Sequence, residues 1–226
     1  MKKLSLIAAI IALACGTQAF GQTAAFDFTP IPNGATQQGW AGNLASLFIV
    51  NPDHSVTISD LGVFNQSGTG YITGTIQVAL FNVTTDQQIT ATVTFGPDTG
   101  YTAESNAVYQ SITPITLGPG TYAVDAVGFS GTDTNGNNGF PGPPADPTPG
   151  FDTFGGALSF PTPGSFYDSN HSLDLANISD PHLYEAGTFE VSAVPEGGAS
   201  SLYLLLAGLC CFGAIFASRK QLASRA

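Results

Sequence analysis

Basic residues are missing from almost the whole length of this chain. The 226-residue sequence has five Lys and Arg residues, and none of them lies between Lys3 and Arg219. All sixteen Asp and Glu residues fall inside that interval. Nucleic-acid binding depends on Lys and Arg contacts to phosphate, so we expect no nucleic-acid partner. A purely acidic body also repels anionic polymers unless cations bridge the two.

Cysteine is scarce as well. The three cysteines are Cys15, Cys210 and Cys211, so that the long region between them contains none. No disulfide framework can therefore stabilise that region. We expect residues 22–193, which are enough for one ordinary domain, to be stabilised by their own apolar core.

The start of the chain has the pattern of a secretory signal peptide. Two lysines precede the uncharged apolar run 4–14, which is too short to cross a bilayer. Small residues follow, and cleavage after Ala19 or after Gly21 fits the pattern. Residues 1–21 are predicted to be a signal peptide recognised by the secretory translocon and signal peptidase. A lipoprotein signal ending at Cys15 is the alternative.

The end of the chain predicts a membrane anchor. Residues 197–218 carry no charge, and as a helix at ~1.5 Å per residue they would span about 33 Å, enough for a hydrocarbon core of about 30 Å. Their centre is apolar on all sides, whereas a helix on a soluble domain has a polar face. We predict a transmembrane helix in the inner membrane over about residues 199–217. The basic tail 218–226, with Arg219 and Lys220, stops transfer and stays cytoplasmic.

A short motif stands directly before this helix. Val194, Pro195 and Glu196 are followed by two glycines. The order of Val-Pro-Glu, apolar helix and Arg-rich end resembles the PEP-CTERM sorting domains that exosortases process. Gly197 departs from the most common form, which has a second proline there. The resemblance implies an exosortase partner for the motif 194–198 and a bacterium that makes extracellular polysaccharide; a plain single-span anchor is the alternative.

The region between the two ends has the alternation typical of β-strands. Apolar Ile76, Val78 and Leu80 alternate with polar or small residues, and threonines separate the apolar residues of the segment 89–95. About eight short strands separated by Gly, Pro and Asn turns predict an all-β, β-sandwich or jelly-roll-like ectodomain over residues 22–193. Further strands are predicted at 44–50, 55–64, 107–112, 121–129, 157–160 and 188–194, with a hairpin loop at 82–87 and a long loop at 131–150.

A second resemblance concerns this ectodomain. The segments 59–64, 77–81 and 116–122 contain a strand with Leu-Gly-x-Phe, a hairpin strand and a Leu-x-Pro-Gly-Thr-Tyr turn. In this order they resemble a set of bacterial PEP-CTERM ectodomains. The resemblance implies a fold and an extracellular destination, and it implies no particular activity.

Enzyme signatures are missing from the sequence. No zinc-protease spacing links His54, His171 and His182, and no nucleophile elbow of the GxSxG type occurs. We therefore predict that the protein is not an enzyme. A secreted hydrolase with two converging carboxylates is a further alternative, for which the candidates are Asp152, Asp168, Asp174 and Glu185.

Two binding hypotheses remain. Asp133, Asn135 and Asn137 place oxygen ligands at alternate positions, as calcium loops do, although no acidic residue closes the loop. Asn and Gly are equally typical of an ordinary exposed turn. Aromatic side chains could stack on sugars or fill the core, and the candidates are Trp40, Tyr71, Tyr101, Tyr109 and Tyr167.

Together these observations predict an exported protein of the cell surface or extracellular matrix, of structural or adhesive type. It would first be anchored in the membrane and then sorted and processed by an exosortase, with extracellular polysaccharide as a possible partner. A glycan- or calcium-binding β-sandwich module is the alternative function. No cofactor other than calcium is expected.

Overall fold

The computed structural model describes residues 22–27, 36–65, 71–97, 101–104, 106–138, 150–161, 164–175, 178–180 and 183–192. The chain divides into two compact units, Met1–Ala193 and Val194–Ala226, and all described residues belong to the first. The predicted signal peptide, sorting motif, transmembrane helix and basic tail lie outside the described residues. Within the described ranges, no helix has the length and apolar character needed to cross a membrane.

Strands dominate the described part of the chain, which also contains one 3-10 turn at Phe154–Gly156. In chain order the strands are β1 (Gln22–Ala24), β2 (Phe26–Asp27), β3 (Thr36–Gln38), β4 (Leu44–Val50), β5 (Val56–Phe64), β6 (Ile76–Asn82), β7 (Gln87–Gln88), β8 (Val93–Phe95), β9 (Thr102–Glu104), β10 (Ala107–Leu117), β11 (Gly120–Val127), β12 (Asn135–Asn138), β13 (Gly150–Phe151), β14 (Leu158–Ser159), β15 (Ser165–Tyr167), β16 (Ile178–Asp180), β17 (Leu183–Glu185) and β18 (Gly187–Ser192).

The strands form two large and two small sheets. The first large sheet has the order β1-β18-β5-β10-β9, and the second has the order β16-β15-β4-β11-β6-β7, with β14 added to β4 and β8 added to β6. The small sheets are β17-β12-β3 and β13-β2. Each described pairing in the large sheets is antiparallel. The all-β prediction is therefore confirmed for the described residues.

Apolar side chains join the two large sheets. Phe189 of β18 packs against Phe48 of β4 with ring centroids 4.5 Å apart, and both side chains are fully buried. Gly187 lies so close to the other sheet that an added Cβ would be 2.9 Å from Val124 and 3.3 Å from Val78. Burying one such Phe stabilises a fold by roughly 1.5–3 kcal/mol. The core therefore lies between these two layers.

Most predicted strands occur where the alternation placed them. The segments 44–50, 55–64, 107–112, 121–129, 157–160 and 188–194 correspond to β4, β5, β10, β11, β14 and β18. The predicted loop 131–150 is wrong in part, because it contains β12, which pairs with β3 and β17.

The prediction of one strand over 89–95 is wrong in extent, because only Val93–Phe95 forms a strand there. The reason is local. The hydroxyl of Thr90 accepts the backbone N–H of Leu80 at 3.0 Å, so a side chain takes the place of a backbone carbonyl in the ladder. Ala91 is consequently exposed, and β7 and β8 are separate.

Substitution of Gly62 tests how closely the side chains pack on the first sheet. Its cross-strand neighbours are Tyr109 and Thr188, and an added Cβ would lie 2.6 Å from the Tyr109 ring and 2.8 Å from Thr188 Cγ2. We expect Gly62→Ala to lower the free energy of unfolding by about 1–3 kcal/mol, since overpacking forces neighbours to move. The measurement is urea denaturation of the full chain in detergent.

Gly118→Ala is the matched control. No atom lies within 4 Å of a Cβ added there. We expect this variant to unfold at the wild-type urea concentration or slightly above it, because alanine restricts the unfolded chain. Equal midpoints for both variants would contradict the close approach of Tyr109 to Gly62.

Candidate functional site

A cleft of about 310 Å³ opens beside Tyr71. Its remaining lining residues are Phe64, Asn65, Ile72, Thr132, Asp133 and Thr134. The end of β5 supplies one wall, and the segments that lead into β6 and β12 supply the others. Tyr71 is 57% exposed, and it is the one large apolar side chain exposed in the part of the chain that the structure describes. We call this feature the Tyr71 cleft.

The carboxylate of Asp133 fastens two walls of the cleft together. Its Oδ1 accepts the backbone N–H of Thr73 at 2.9 Å. Its Oδ2 accepts the Thr73 hydroxyl and the backbone N–H of Gly74, both at 2.6 Å. Hydrogen bonds to an ionised acceptor are stronger than neutral ones, and Asp133 is 8% exposed. This side chain therefore fixes the approach to β6 against the approach to β12.

Neighbouring polar groups fix the rest of the cleft. The Asn65 amide donates to the carbonyl oxygen of Tyr71 at 2.7 Å. The Thr73 hydroxyl also lies 3.0 Å from Thr132 Oγ1, but its single hydrogen belongs to the shorter bond with Asp133. The Ser130 hydroxyl accepts the backbone N–H of Asp133 at 3.1 Å. These hydrogen bonds therefore tie Asn65 and Asp133 of the lining to residues around the cleft.

The three predicted calcium residues have three different environments. Asp133 is bonded to Thr73 and Gly74, as described above. Asn135 lies in β12, fully buried, and its Oδ1 accepts the backbone N–H of Trp40 at 3.2 Å. The buried Oδ1 of Asn137 has no hydrogen-bond partner among the described residues. Those residues also contain no group of three His, Cys, Asp or Glu able to hold a metal ion, and calcium binding stays a prediction.

Four of the five candidate aromatic residues pack inwards. Trp40, Tyr101 and Tyr167 are half-buried against the core, and Tyr109 is buried. The rings of Trp40 and Tyr167 meet edge to face with centroids 6.0 Å apart. A broad aromatic surface is therefore not formed by these five residues, and Tyr71 is the one that faces solvent.

The structure brings together two of the four acids considered for hydrolysis. Asp168 and Asp174 both bond to Asn170, whose backbone N–H donates to one at 2.8 Å and whose side-chain amide donates to the other at 2.6 Å. Asp152 accepts the backbone N–H of Phe154 at 2.7 Å within its own turn. Of the four acids, Glu185 is the one with no exposed surface.

Glu185 is a buried acid whose environment the sequence did not indicate. It faces Gly136 across the β17–β12 ladder, and a Cβ added to Gly136 would lie 2.8 Å from the Glu185 Cβ. Neither carboxyl oxygen has a hydrogen-bond partner among the described residues. Burial raises the pKa of Glu185 to about 7, because the charged form loses its hydration.

Two further acids lie next to each other on the first sheet. Glu190 of β18 and Asp60 of β5 are directly opposite each other, next to a shift in strand register. Burial, together with the negative charges of Asp60 and Glu104, raises the pKa of Glu190 to about 7. Asp60 accepts the Ser111 hydroxyl at 2.6 Å and also the Gln22 amide. Only the register brings these acids together, so sequence spacing carried no signal for them.

Two comparisons with known proteins gave no match. The chain matches no protein-family model, and no curated protein matches it. The resemblance to PEP-CTERM proteins therefore rests on the residues quoted above, and the function has to be argued from the chain itself.

Asp133→Asn tests the fastening of the cleft. The amide group would place hydrogens where one carboxylate oxygen accepts those of Thr73 and Gly74, so these donors would lose their partner inside the partly buried contact. We expect the free energy of unfolding to fall by about 1–3 kcal/mol, measured by urea denaturation.

Asp86→Asn is the matched control, because Asp86 occupies an exposed turn at a φ of 53°, which Asn tolerates. It should unfold as the wild type does; equal effects of the two changes would contradict the role of Asp133.

If the calcium prediction holds, millimolar calcium raises the wild-type melting temperature by linkage.

Glu185 also predicts a dependence of stability on pH. Below pH 4.5 the Glu185 carboxyl is mostly protonated in both the folded and the unfolded state, so its burial does not lower the free energy of unfolding. As pH rises from about 4.5 to about 7 the unfolded chain ionises first, so the free energy of unfolding falls, by up to about 3 kcal/mol, and then levels off. Glu190 acts in the same direction. Glu185→Gln should flatten the profile measured by urea denaturation from pH 4.5 to 8, and an unchanged slope would show that Glu185 is not its source.

Proposed function

We propose that this chain is an exported protein of the bacterial cell surface or extracellular matrix, with a structural or adhesive role, whose end is sorted by an exosortase. The observation that carries the proposal is the segregation of charge. Every Lys and Arg lies beside one of two terminal apolar segments, and every acid lies between them. Positive charges beside apolar segments are retained in the cytoplasm, whereas a body without them passes through the membrane.

The body suits an extracellular location. In this proposal it is a β-sandwich whose stability comes from apolar packing between sheets, as in the contact between Phe48 and Phe189. It contains no cysteine, so folding after export needs no oxidant. Residues 22–193 would therefore fold once the secretory translocon releases them and signal peptidase removes residues 1–21.

The strand order supports attachment at one membrane face. The first described strand, β1, pairs antiparallel with the last, β18, and Gln22 lies opposite Ser192. Gln22 and Ser192 therefore lie at the same end of the first sheet. This placement suits a precursor that is attached to one membrane face through both of its ends.

The sorting motif can be tested separately from the anchor. Pro195 fixes its own backbone and keeps the preceding residue extended, so the motif should remain accessible before the helix. Glu196 places a negative charge at the helix start, where the helix dipole favours it. We expect Pro195→Ala combined with Glu196→Ala to leave membrane insertion intact and to block removal of the tail.

The measurement is an epitope placed after Ala226, followed in a host that contains an exosortase. Wild type should lose the epitope, and the double variant should accumulate as the longer, membrane-bound form. Arg219→Gln with Lys220→Gln is the control, since it weakens stop-transfer and leaves the motif unchanged. Retention of the epitope by the wild type would show a simple anchored ectodomain and overturn the proposal.

A further inference from the structure

We propose that the side chains of Thr134 and Gln37 form an ester cross-link, with Glu185 as the group that transfers the proton. The reaction joins the Thr134 hydroxyl to the Gln37 carboxamide and releases ammonia. This inference goes beyond the function proposed above, because it concerns a covalent modification of the body and does not depend on how the tail is sorted.

The two reacting groups are already in contact. The Thr134 hydroxyl donates a hydrogen bond to the carbonyl oxygen of the Gln37 side chain at 3.0 Å, although the two residues are 97 positions apart in the sequence. The carbon that the hydroxyl would attack is bonded directly to that oxygen. Neighbouring groups react fast when the reacting atoms are held about 3–3.5 Å apart. Rotation of the carboxamide about its last side-chain bond is the movement that aligns its carbon with the hydroxyl.

Strand register brings a buried acid to the same face of the small sheet. Gln37 of β3 and Glu185 of β17 both lie directly opposite Gly136 of β12, and directly paired residues share a face. Thr134 lies two residues before Gly136, on this face as well. Gly136 has no side chain, and the Glu185 carboxyl carbon lies 2.8 Å from the position that a Cβ on Gly136 would occupy. The carboxyl group therefore covers Gly136, between its own strand and Gln37.

The Glu185 carboxyl has the properties of a proton-transfer group. Its residue has no exposed surface, and neither oxygen has a hydrogen-bond partner among the described residues. Burial raises its pKa to about 7, so that near neutral pH one carboxyl can both accept a proton and return it. Leaving a buried polar group unpaired costs free energy, and a role in this reaction accounts for its presence.

The proposed reaction balances without an oxidant or a cofactor. Thr134 Oγ1 attacks Cδ of Gln37 while the Glu185 carboxylate takes the hydroxyl proton. The same proton then passes to Nε2 of Gln37, the C–N bond breaks and ammonia leaves. One C–O bond has replaced one C–N bond, and Glu185 is unchanged. The loss of ammonia to the surroundings opposes the reverse reaction.

The backbone on both sides of the reacting pair is held in place. Thr134 follows Asp133, whose backbone carbonyl accepts the Ser130 N–H at 2.8 Å. It precedes Asn135, whose Oδ1 accepts the backbone N–H of Trp40 at 3.2 Å. Because Trp40 comes shortly after β3, this bond fixes β3 against β12. A pair that is already ordered needs little rearrangement to react.

The composition of the body leaves few routes to a covalent cross-link. Without cysteine it cannot form a disulfide, and without lysine it cannot form an amide through a side-chain amine. An ester needs only a hydroxyl and a carboxamide. The order β17-β12-β3 places β3 at an edge of its sheet, and a bond from β3 to the residue before β12 would keep that edge from separating. It would also close a long loop and so restrict the unfolded chain.

The test is mass spectrometry of the full chain, purified in detergent, denatured and digested with chymotrypsin, because the body has no Lys or Arg for trypsin. In the wild type we expect a peptide pair that joins the segment around Gln37 to the segment around Thr134, with a combined mass lower by one ammonia. Hydroxylamine, which cleaves esters, should separate the pair. The joined pair distinguishes the ester from loss of ammonia within a single peptide.

Substitutions separate the roles of the three side chains. Thr134→Val removes the hydroxyl at nearly constant volume and should abolish the joined pair, whereas Thr134→Ser keeps a hydroxyl and should retain it. In newly synthesised chains, Glu185→Gln should slow formation of the pair by about a hundredfold or more, since that is the usual contribution of a proton-transfer group. Thr94→Val, an exposed change on β8, is the control and should cross-link as the wild type does.

Circular dichroism of each variant should keep a β-dominated spectrum, so that loss of the pair does not reflect unfolding. Gln37→Met, which keeps the length of the side chain and removes the carboxamide, is a second variant that must lose the pair. Absence of the joined pair from the wild type, or its persistence in Thr134→Val or Gln37→Met, would overturn the inference. Formation at the wild-type rate in Glu185→Gln would overturn the role of Glu185.

Discussion

Apolar packing between two antiparallel sheets is the interaction on which the rest of this body depends. With no cysteine between Cys15 and Cys210, disulfide bonds cannot substitute for a core. Phe48 and Phe189 are in contact across the interface, and Gly187 allows the sheets to approach closely. The strand β18 therefore packs against the second sheet and also pairs with β1, which places Gln22 opposite Ser192.

Several acidic side chains are buried in this fold, and burying a charge costs free energy unless it is paired or hydrogen-bonded. A chain without Lys or Arg in its body cannot neutralise a buried carboxylate with a side-chain cation, apart from histidine. The buried acids Asp133, Glu185 and Glu190 are accommodated in different ways. Asp133 is satisfied by backbone and hydroxyl donors, whereas burial raises the pKa of Glu185, and burial with nearby charge raises that of Glu190. Buried acidic groups are thus accommodated inside the fold by hydrogen bonds and by a raised pKa that favours the protonated form.

The Asp133 carboxylate connects two segments of the chain that are far apart in sequence. Asp133 fastens the walls of the Tyr71 cleft and also supplies its negative charge.

The sequence by itself determined the all-β class and most long strands, because short apolar segments bounded by Gly, Pro and Asn turns are typical of strands. In β4, β5, β6 and β11 most residues on both faces are in fact buried. It also indicated Asp133 as a calcium ligand and Tyr71 as an aromatic residue that could stack on a sugar, and the structure places both residues in one cleft. Tertiary structure decided what alternation cannot encode. The polar strand β12 exists because β3 and β17 pair with it, and the ladder at β7 is interrupted because Thr90 bonds to Leu80. Strand register alone brought Asp60 to Glu190 and Glu185 to Gly136, since cross-strand neighbours far apart in sequence leave no trace in local spacing.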